Sequence, residues 1–330
     1  MNKYYAKFTA FGSCTPKKVL NNFDLEKIVD TTDEWIRSRT GMFERHIASE
    51  DEAASDLAYP AAKMAIESSP VKYRDIDMII VATISGDHAF PSTACLVQHK
   101  LGLKDIPAMD ISAGCTGFIF AVDMARQYIE NGIYKNILVI GVEILTKITN
   151  WTDRNTCVLF GDGAGAAIVS RAEPSDISKI IDTMMWSDGS QSEFLCLPAG
   201  GSRMPASHKT VDENLHTLYM EGNKIYKLAV RSMSSAVDEI IKKNKLTAKD
   251  VDWIIPHQAN LRIIEGVADK LKVPMSKVIV NIEKYANMSS ATVPIATDEA
   301  IRSKKIRRGD IMVMVAFGAG LTWGSVLARY

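Results

Sequence analysis

The chain has 330 residues, 47% of them hydrophobic, enough to bury one large core or two domain-sized ones. Its 39 Lys and Arg balance 39 Asp and Glu, so no net field gathers nucleic acid or an anionic membrane, and partners must be recognised by local sites. Five cysteines at wide, irregular spacing form neither a disulfide framework nor a metal-type pair, which predicts reduced thiols and no metal centre.

Near the amino terminus Lys7 interrupts any apolar leader, and no later apolar run reaches the roughly 18 residues of a spanning helix, so a cytoplasmic protein is expected. Apolar runs at 76–84, 136–145 and 310–317 read as strands buried on both faces. Helical patterns at 117–130 and 260–271 alternate with them, as in an α/β protein with parallel or mixed sheets, and the first should stop at Asn131-Gly132. The glycine-rich stretch from Phe160 to Val169 runs into a β-like segment rather than a helix, so it reads as a tight structural turn and not as a phosphate cradle.

Three landmarks recur at nearly one spacing. Asp77-Met-Ile-Ile resembles Asp252-Trp-Ile-Ile, Ile137-Leu-Val-Ile resembles Ile311-Met-Val-Met, and the stretch around Cys115 pairs with that around Asn287 at an offset of 172. A duplicated α/β unit explains all three, with halves 1–175 and 176–330 sharing a central helical layer and a site at their junction drawing on both.

Cys115 lies in Ser112-Ala-Gly-Cys-Thr-Gly-Phe, after an extended segment and at a helix start, where free N–H groups and the helix dipole favour thiolate over thiol. A small buried apolar cysteine is the competing reading. His257 stands where Pro256 ends a strand, which aims its ring off the strand edge, although a single histidine is more often structural. Asn287, in Tyr285-Ala-Asn-Met-Ser, reads either as a helix cap or, through the repeat, as a residue nearly opposite Cys115.

Ser112-Ala-Gly-Cys-Thr-Gly-Phe, Pro256-His-Gln-Ala-Asn-Leu-Arg-Ile-Ile and Tyr285-Ala-Asn-Met-Ser resemble the Cys, His and Asn motifs of ketoacyl synthase III in the thiolase superfamily. The similarity extends to Thr31-Thr-Asp-Glu-Trp-Ile, Arg39-Thr-Gly, His88-Ala-Phe-Pro-Ser, Thr152-Asp-Arg and the closing Ala316-Phe-Gly-Ala-Gly-Leu-Thr-Trp-Gly. The resemblance implies a five-layered αβαβα thiolase-like fold, a homodimer, and condensation of a starter acyl-CoA with malonyl-ACP through an acyl-Cys115 intermediate, with no cofactor. It assigns Cys115, His257 and Asn287 to catalysis and the backbone N–H groups of Cys115 and Ala319 to the oxyanion hole. It further places Trp35 and Arg154 on the adenine of coenzyme A, and Thr31, Arg39, Gly222, Asn223 and Asn260 along its phosphates and pantetheine arm. Phe90 would reach the neighbouring subunit's acyl pocket, and Lys227, Arg262 and Lys270 would dock the acyl carrier protein.

The chain departs from the usual pattern at Ala286 and Met288 beside Asn287, at Ala319, and at Asp269 near the docking face; bulk at Ala286 and Met288 is expected to reshape the acyl pocket. A relative with a specialised starter for biotin, quinolone or polyketide assembly, a Cys-His-Asn hydrolase, and a non-catalytic carrier binder remain the alternatives. The hydrolase lacks a papain-type Cys-Gly-Ser-Cys-Trp pattern.

Overall fold

The computed structural model describes residues 4–330. Its first half builds a five-stranded sheet from β1 (Tyr5–Cys14), β2 (Met78–Ala82), β3 (Ala108–Ile111), β4 (Asn136–Ile144) and β5 (Asp162–Ala172), in the order β1-β5-β4-β2-β3. The second half builds a four-stranded sheet from β6 (Lys179–Ser187), β7 (Trp253–Pro256), β8 (Ile311–Gly318) and β9 (Thr322–Arg329), in the order β6-β9-β8-β7. Superposing β1, β5, β4 and β2 on β6, β9, β8 and β7 preserves both order and direction. In each of these sets of four strands the last pair is parallel and the other two are antiparallel.

The apolar runs are continuous because both faces of each sheet are covered. In β2, Met78, Ile80 and Ala82 face the core between the sheets while Ile79 and Val81 face the outer helices. In β8, Met312, Met314 and Ala316 point inward and Val313, Val315 and Phe317 outward, the two-residue alternation of a strand. Helices α1 (Asp33–Thr40), α2 (Ala54–Glu67), α3 (Thr93–Lys100), α4 (Gly117–Glu130), α5 (Gly222–Lys243), α6 (Leu261–Leu271) and α7 (Thr292–Arg302) complete the main architecture. Helices α4 and α7 pack against both sheets, α2 and α3 cover the outside of the first sheet, and α5, with α6 against it, covers the second. The layers therefore run αβαβα. Among the described residues no helix is long and apolar enough to cross a membrane.

Two sequence expectations change. The glycine-rich stretch is not a turn: from Asp162 onward it is β5, and its glycines admit α7, since a Cβ on Gly165 would lie 2.7 Å from Pro294. The internal offset near the cysteine is 175 rather than 172. The short turn Gly114–Thr116 and helix α4 correspond to the turn Ser289–Ala291 and helix α7, so Ser290, three residues past Asn287, is the counterpart of Cys115.

Candidate active site

The two turns that open α4 and α7 pack against each other at the floor of a cavity of about 1240 Å³. Cys115, His257 and Asn287 all line it. Cys115 sits in the 3₁₀ turn Gly114–Thr116, one residue short of α4 proper. A Cβ on Gly318 would fall 2.6 Å from the Cys115 nitrogen, so only glycine lets the end of β8 approach the nucleophile turn and bring Ala319 beside it. Thr322 Oγ1 ties the same corner together, within 3.1 Å of Ala113 O and 3.0 Å of Ala319 O.

His257 follows β7, and its backbone N–H donates to Val315 O at 2.8 Å, holding the residue at the edge of the second sheet. Its Nδ1 lies 2.6 Å from Thr292 Oγ1, the first residue of α7. Asn287 is pinned at both ends of its peptide: its N–H donates to Leu159 O at 2.9 Å and its carbonyl accepts from Gly161 N at 3.0 Å. The Ser289 N–H donates to Asn287 Oδ1 at 2.8 Å, which leaves the Nδ2 group as the amide's donor to the cavity.

Burial dominates the electrostatics. It pushes the Cys115 thiol up to about 11; a hydrogen bond from Ser289 opposes the rise and the Glu143 carboxylate adds to it. The expectation of a resting thiolate is thereby corrected: a rise from 9.0 to about 11 amounts to nearly 3 kcal/mol, whereas a helix end contributes about 0.3–1 kcal/mol. Burial likewise drives His257 down to about 3, so the imidazole is neutral at ordinary pH.

Comparison with known proteins agrees with this geometry. Residues 109–189 match the 3-oxoacyl-[acyl-carrier-protein (ACP)] synthase III family, and residues 241–330 match its C-terminal domain. The beta-ketoacyl-[acyl-carrier-protein] synthase III of Caldanaerobacter subterraneus is 53% identical over 328 residues, spanning 99% of this chain and 98% of that protein. The chain belongs to the β-ketoacyl-acyl-carrier-protein synthase III family. The Clostridioides difficile synthase III is 49% identical over 319 residues, 97% of this chain and 96% of its own. The crystal structure of the Aquifex aeolicus synthase III superposes with a TM-score of 0.91 at 47% identity, covering 98% of this chain and all of that one. The αβαβα layering is thus the thiolase fold, and the protein is a condensing acyltransferase rather than a papain-like hydrolase.

The cavity extends from the trio out to Trp35 and Arg39. Trp35, Arg39, Gly222, Asn223, Asn260 and Arg262 line the cavity together with Ala319. Helix α1 holds Trp35 and Arg39 on one side, its N-cap Thr32 accepting from Trp35 N at 3.1 Å. The Arg39 and Arg154 guanidinium carbons lie 4.9 and 5.1 Å from the Trp35 ring centroid. Arg154 does not line the cavity; its Nη1 donates to Asp30 O at 2.8 Å. Thr31 is outside the lining too, with its Oγ1 buried and unpartnered. Asn260 has a second duty, capping α6 by accepting from Arg262 N at 2.9 Å. Lys227 and Lys270 are exposed on α5 and α6 away from the lining, and Phe90 is 86% exposed in the single chain.

Met288 does not reshape the cavity. Its side chain is buried against Ile295 and Ala291, beside Gly163, and neither Met288 nor Ala286 is among the lining residues.

Sequence reasoning missed Arg45, Glu143, Ser289 and Thr292. Arg45 is fully buried, donating to Leu20 O, Asn22 Oδ1 and Val158 O at 3.1, 2.9 and 3.1 Å. Asn22 in turn donates to Asp33 Oδ1 at 2.9 Å, so the guanidinium joins the Trp35 helix to the segment following Arg154. Glu143 carried a visible signal, as the one charge in the strand Asn136–Ile144.

Proposed function

We propose that the chain initiates fatty acid synthesis by decarboxylative condensation of a starter acyl-CoA with malonyl-ACP through an acyl-Cys115 intermediate. The observation that carries this reading is the convergence of Cys115, His257 and Asn287, from opposite halves of the chain, on one cavity whose outer part bears Trp35 and Arg39.

Coenzyme A stacks its adenine on Trp35 and Arg154, the guanidinium swinging off the indole that it covers at 5.1 Å to admit the flat base. Thr31, Arg39, Gly222, Asn223 and Asn260 follow its phosphates and pantetheine arm. The Cys115 sulfur attacks the acyl carbonyl, and the N–H groups of Cys115 and Ala319 hold the developing oxyanion while coenzyme A departs. Malonyl-ACP then docks on Lys227, Arg262 and Lys270. Carbon dioxide leaves, and the enolate oxygen receives one hydrogen bond from Asn287 Nδ2 and one from His257 Nε2. When the Thr292 hydroxyl turns its single proton from Ser289 O to His257 Nδ1, the neutral imidazole carries its own proton on Nε2 and donates it. The enolate carbon attacks acyl-Cys115, and the released thiolate takes up a proton.

The chain works in the cytoplasm as a homodimer in which Phe90 of each subunit closes the other's acyl pocket, and residues 1–175 and 176–330 are the two duplicated halves. Intact-mass analysis after incubation with mixed acyl-CoAs tests the reading. Wild type gains one acyl mass on the Cys115 peptide, and Cys115→Ala gains none while still binding coenzyme A. An acyl group on Cys95, Cys157 or Cys196 overturns it.

A further inference from the structure

The reaction above leaves one buried acid without a task. Glu143 is fully buried near the end of β4, and no Lys, Arg or His among the described residues forms an ion pair with it. Its two oxygens instead face the two halves of the chain. Oε2 accepts from Ile84 N at 3.1 Å, Ser85 Oγ at 2.5 Å and Thr83 Oγ1 at 3.4 Å. Oε1 accepts from Ser289 Oγ at 3.0 Å and lies 3.0 Å from Ser290 Oγ, whose single proton also has Ala82 O within 2.9 Å. Ile84 and Ser289 both line the cavity, so one side chain joins a wall from the first half to a wall from the second.

Ser289 carries this anchorage to Asn287. Its N–H donates to Asn287 Oδ1 at 2.8 Å, the one hydrogen bond that side chain makes among the described residues, and this bond turns Nδ2 toward the cavity. Ser289 makes it from φ 45°, a left-handed conformation that is costly for a residue with a Cβ and persists only where the surroundings hold it. The hold comes from Glu143, on which the Ser289 hydroxyl is fixed and which is itself fixed by residues 83–85. We infer that Glu143 is a positioning residue for the decarboxylation half-reaction: through Ser289 it keeps the Asn287 carboxamide with Nδ2 aimed at the enolate oxygen. The Ser289 carbonyl also lies 3.0 Å from Thr292 Oγ1, but Thr292 opens α7 and keeps its place with that helix. The inference rests on the role proposed above for Asn287.

The role belongs to hydrogen bonding and not to charge. In Glu143→Gln the side-chain carbonyl can face Ile84 N–H, a backbone donor that cannot turn, while the amide NH2 donates to the Ser289 and Ser290 oxygens, whose hydroxyl protons can turn away. Ser290 then gives its proton to Ala82 O. Glu143→Ala leaves nothing to hold either side. The oxyanion hole stands apart from this clamp, because Thr322 Oγ1, within 3.1 Å of Ala113 O and 3.0 Å of Ala319 O, ties that corner together. Acylation of Cys115 is therefore spared in both variants.

The test acylates each variant with mixed acyl-CoAs, records acyl-Cys115 by peptide mass, then adds malonyl-ACP and reads carbon dioxide release per acyl-enzyme. Glu143→Ala should form acyl-Cys115 at a near-normal rate and release carbon dioxide roughly tenfold to a hundredfold more slowly, the scale of a catalytic group misplaced by about 1 Å. Glu143→Gln should keep most of the wild-type rate. On an Asn287→Ala background, Glu143→Ala should cost little more, because the amide it positions is already gone. A carboxylate that merely supports the fold would slow both half-reactions together, and its cost would add to that of Asn287→Ala. Either result overturns the inference, as does a Glu143→Gln variant as slow as Glu143→Ala. If Glu143→Ala does not fold, Ser289→Ala cuts the same link: its carbon dioxide release per acyl-enzyme should fall likewise, and an undiminished release overturns the inference. These outcomes remove the role of Glu143 alone, whereas absence of acyl-Cys115 in wild type removes the proposed function itself.

Discussion

Thr292 Oγ1 lies 2.6 Å from His257 Nδ1 and 3.0 Å from Ser289 O, so one hydroxyl orients the imidazole and ties it to the turn that carries Asn287. Thr292→Val keeps the shape and removes the hydroxyl. An unpaired buried polar group costs about 1–3 kcal/mol, so decarboxylation of malonyl-ACP should slow by roughly 5- to 150-fold. Thr292→Ser should restore most of the rate, measured as carbon dioxide release. Equal loss in the Val and Ser variants would show that the full threonine shape, not the hydroxyl alone, sets the rate.

His257 has a folded pKa of about 3 against an ordinary 6.5, so between those values the unfolded chain binds a proton that the folded chain does not. Stability should therefore fall as pH drops through that window, with this one residue contributing up to about 1.4 kcal/mol per pH unit. His257→Gln lacks this dependence. Urea unfolding between pH 4 and pH 6 should give a shallower slope for the variant than for wild type, and parallel slopes would count against the buried neutral imidazole.

Ala286 adopts φ 55° and ψ −156°, a conformation that glycine tolerates and alanine does not. Ala286→Gly relieves strain of about 1–3 kcal/mol against a loss of about 0.4–1 kcal/mol from the more flexible unfolded chain. A net stabilisation of about 1 kcal/mol should appear in the urea midpoint. Starter preference should stay as it is for Ala286→Gly and for Met288→Thr, because neither side chain lines the cavity. A shift in the acyl-chain profile of either variant would contradict that placement.

Arg262 is exposed at the start of α6, at the rim of the cavity, with Lys270 two turns on along the same helix. Arg262→Glu should raise the KM for malonyl-ACP several-fold, with an effect that shrinks as salt rises, and leave acylation by acyl-CoA nearly unchanged. Asp269 beside Lys270 should keep the effect modest. Equal loss toward both substrates would point to disturbance of Asn260, the neighbouring cap, rather than to carrier docking.

Much of this architecture was legible in the chain because burial on both faces makes strands such as Met78–Ala82 and Ile311–Gly318 read as continuous apolar runs. The stop of α4 was legible in Asn131-Gly132, where Gly132 takes φ 78°. The glycines of β5 misled because spacing alone does not distinguish a turn from a strand that a helix must approach closely. The protonation of Cys115 misled for a different reason: a helix start is local, whereas the depth of the cavity is set by two halves meeting. The partners of Thr292, Ser289 and Arg45 lie 2 to 146 residues away; most meet only through tertiary packing, and the Ser289–Glu143 pair only once the two halves are packed.

The division of labour between the two half-reactions is tested most directly with Asn287→Ala. Its amide is proposed to stabilise the enolate and takes no part in acylation, where the oxyanion rests on backbone N–H groups. Loss of one such donor costs about 2.7–4 kcal/mol, so carbon dioxide release from malonyl-ACP should fall roughly a hundred- to a thousandfold. The variant is mixed with acyl-CoA, the mass of the Cys115 peptide is recorded, and malonyl-ACP is then added while carbon dioxide is measured. The account predicts near-normal formation of acyl-Cys115 followed by a stall. Acylation lost as severely as decarboxylation, with fold and coenzyme A binding intact, would contradict it.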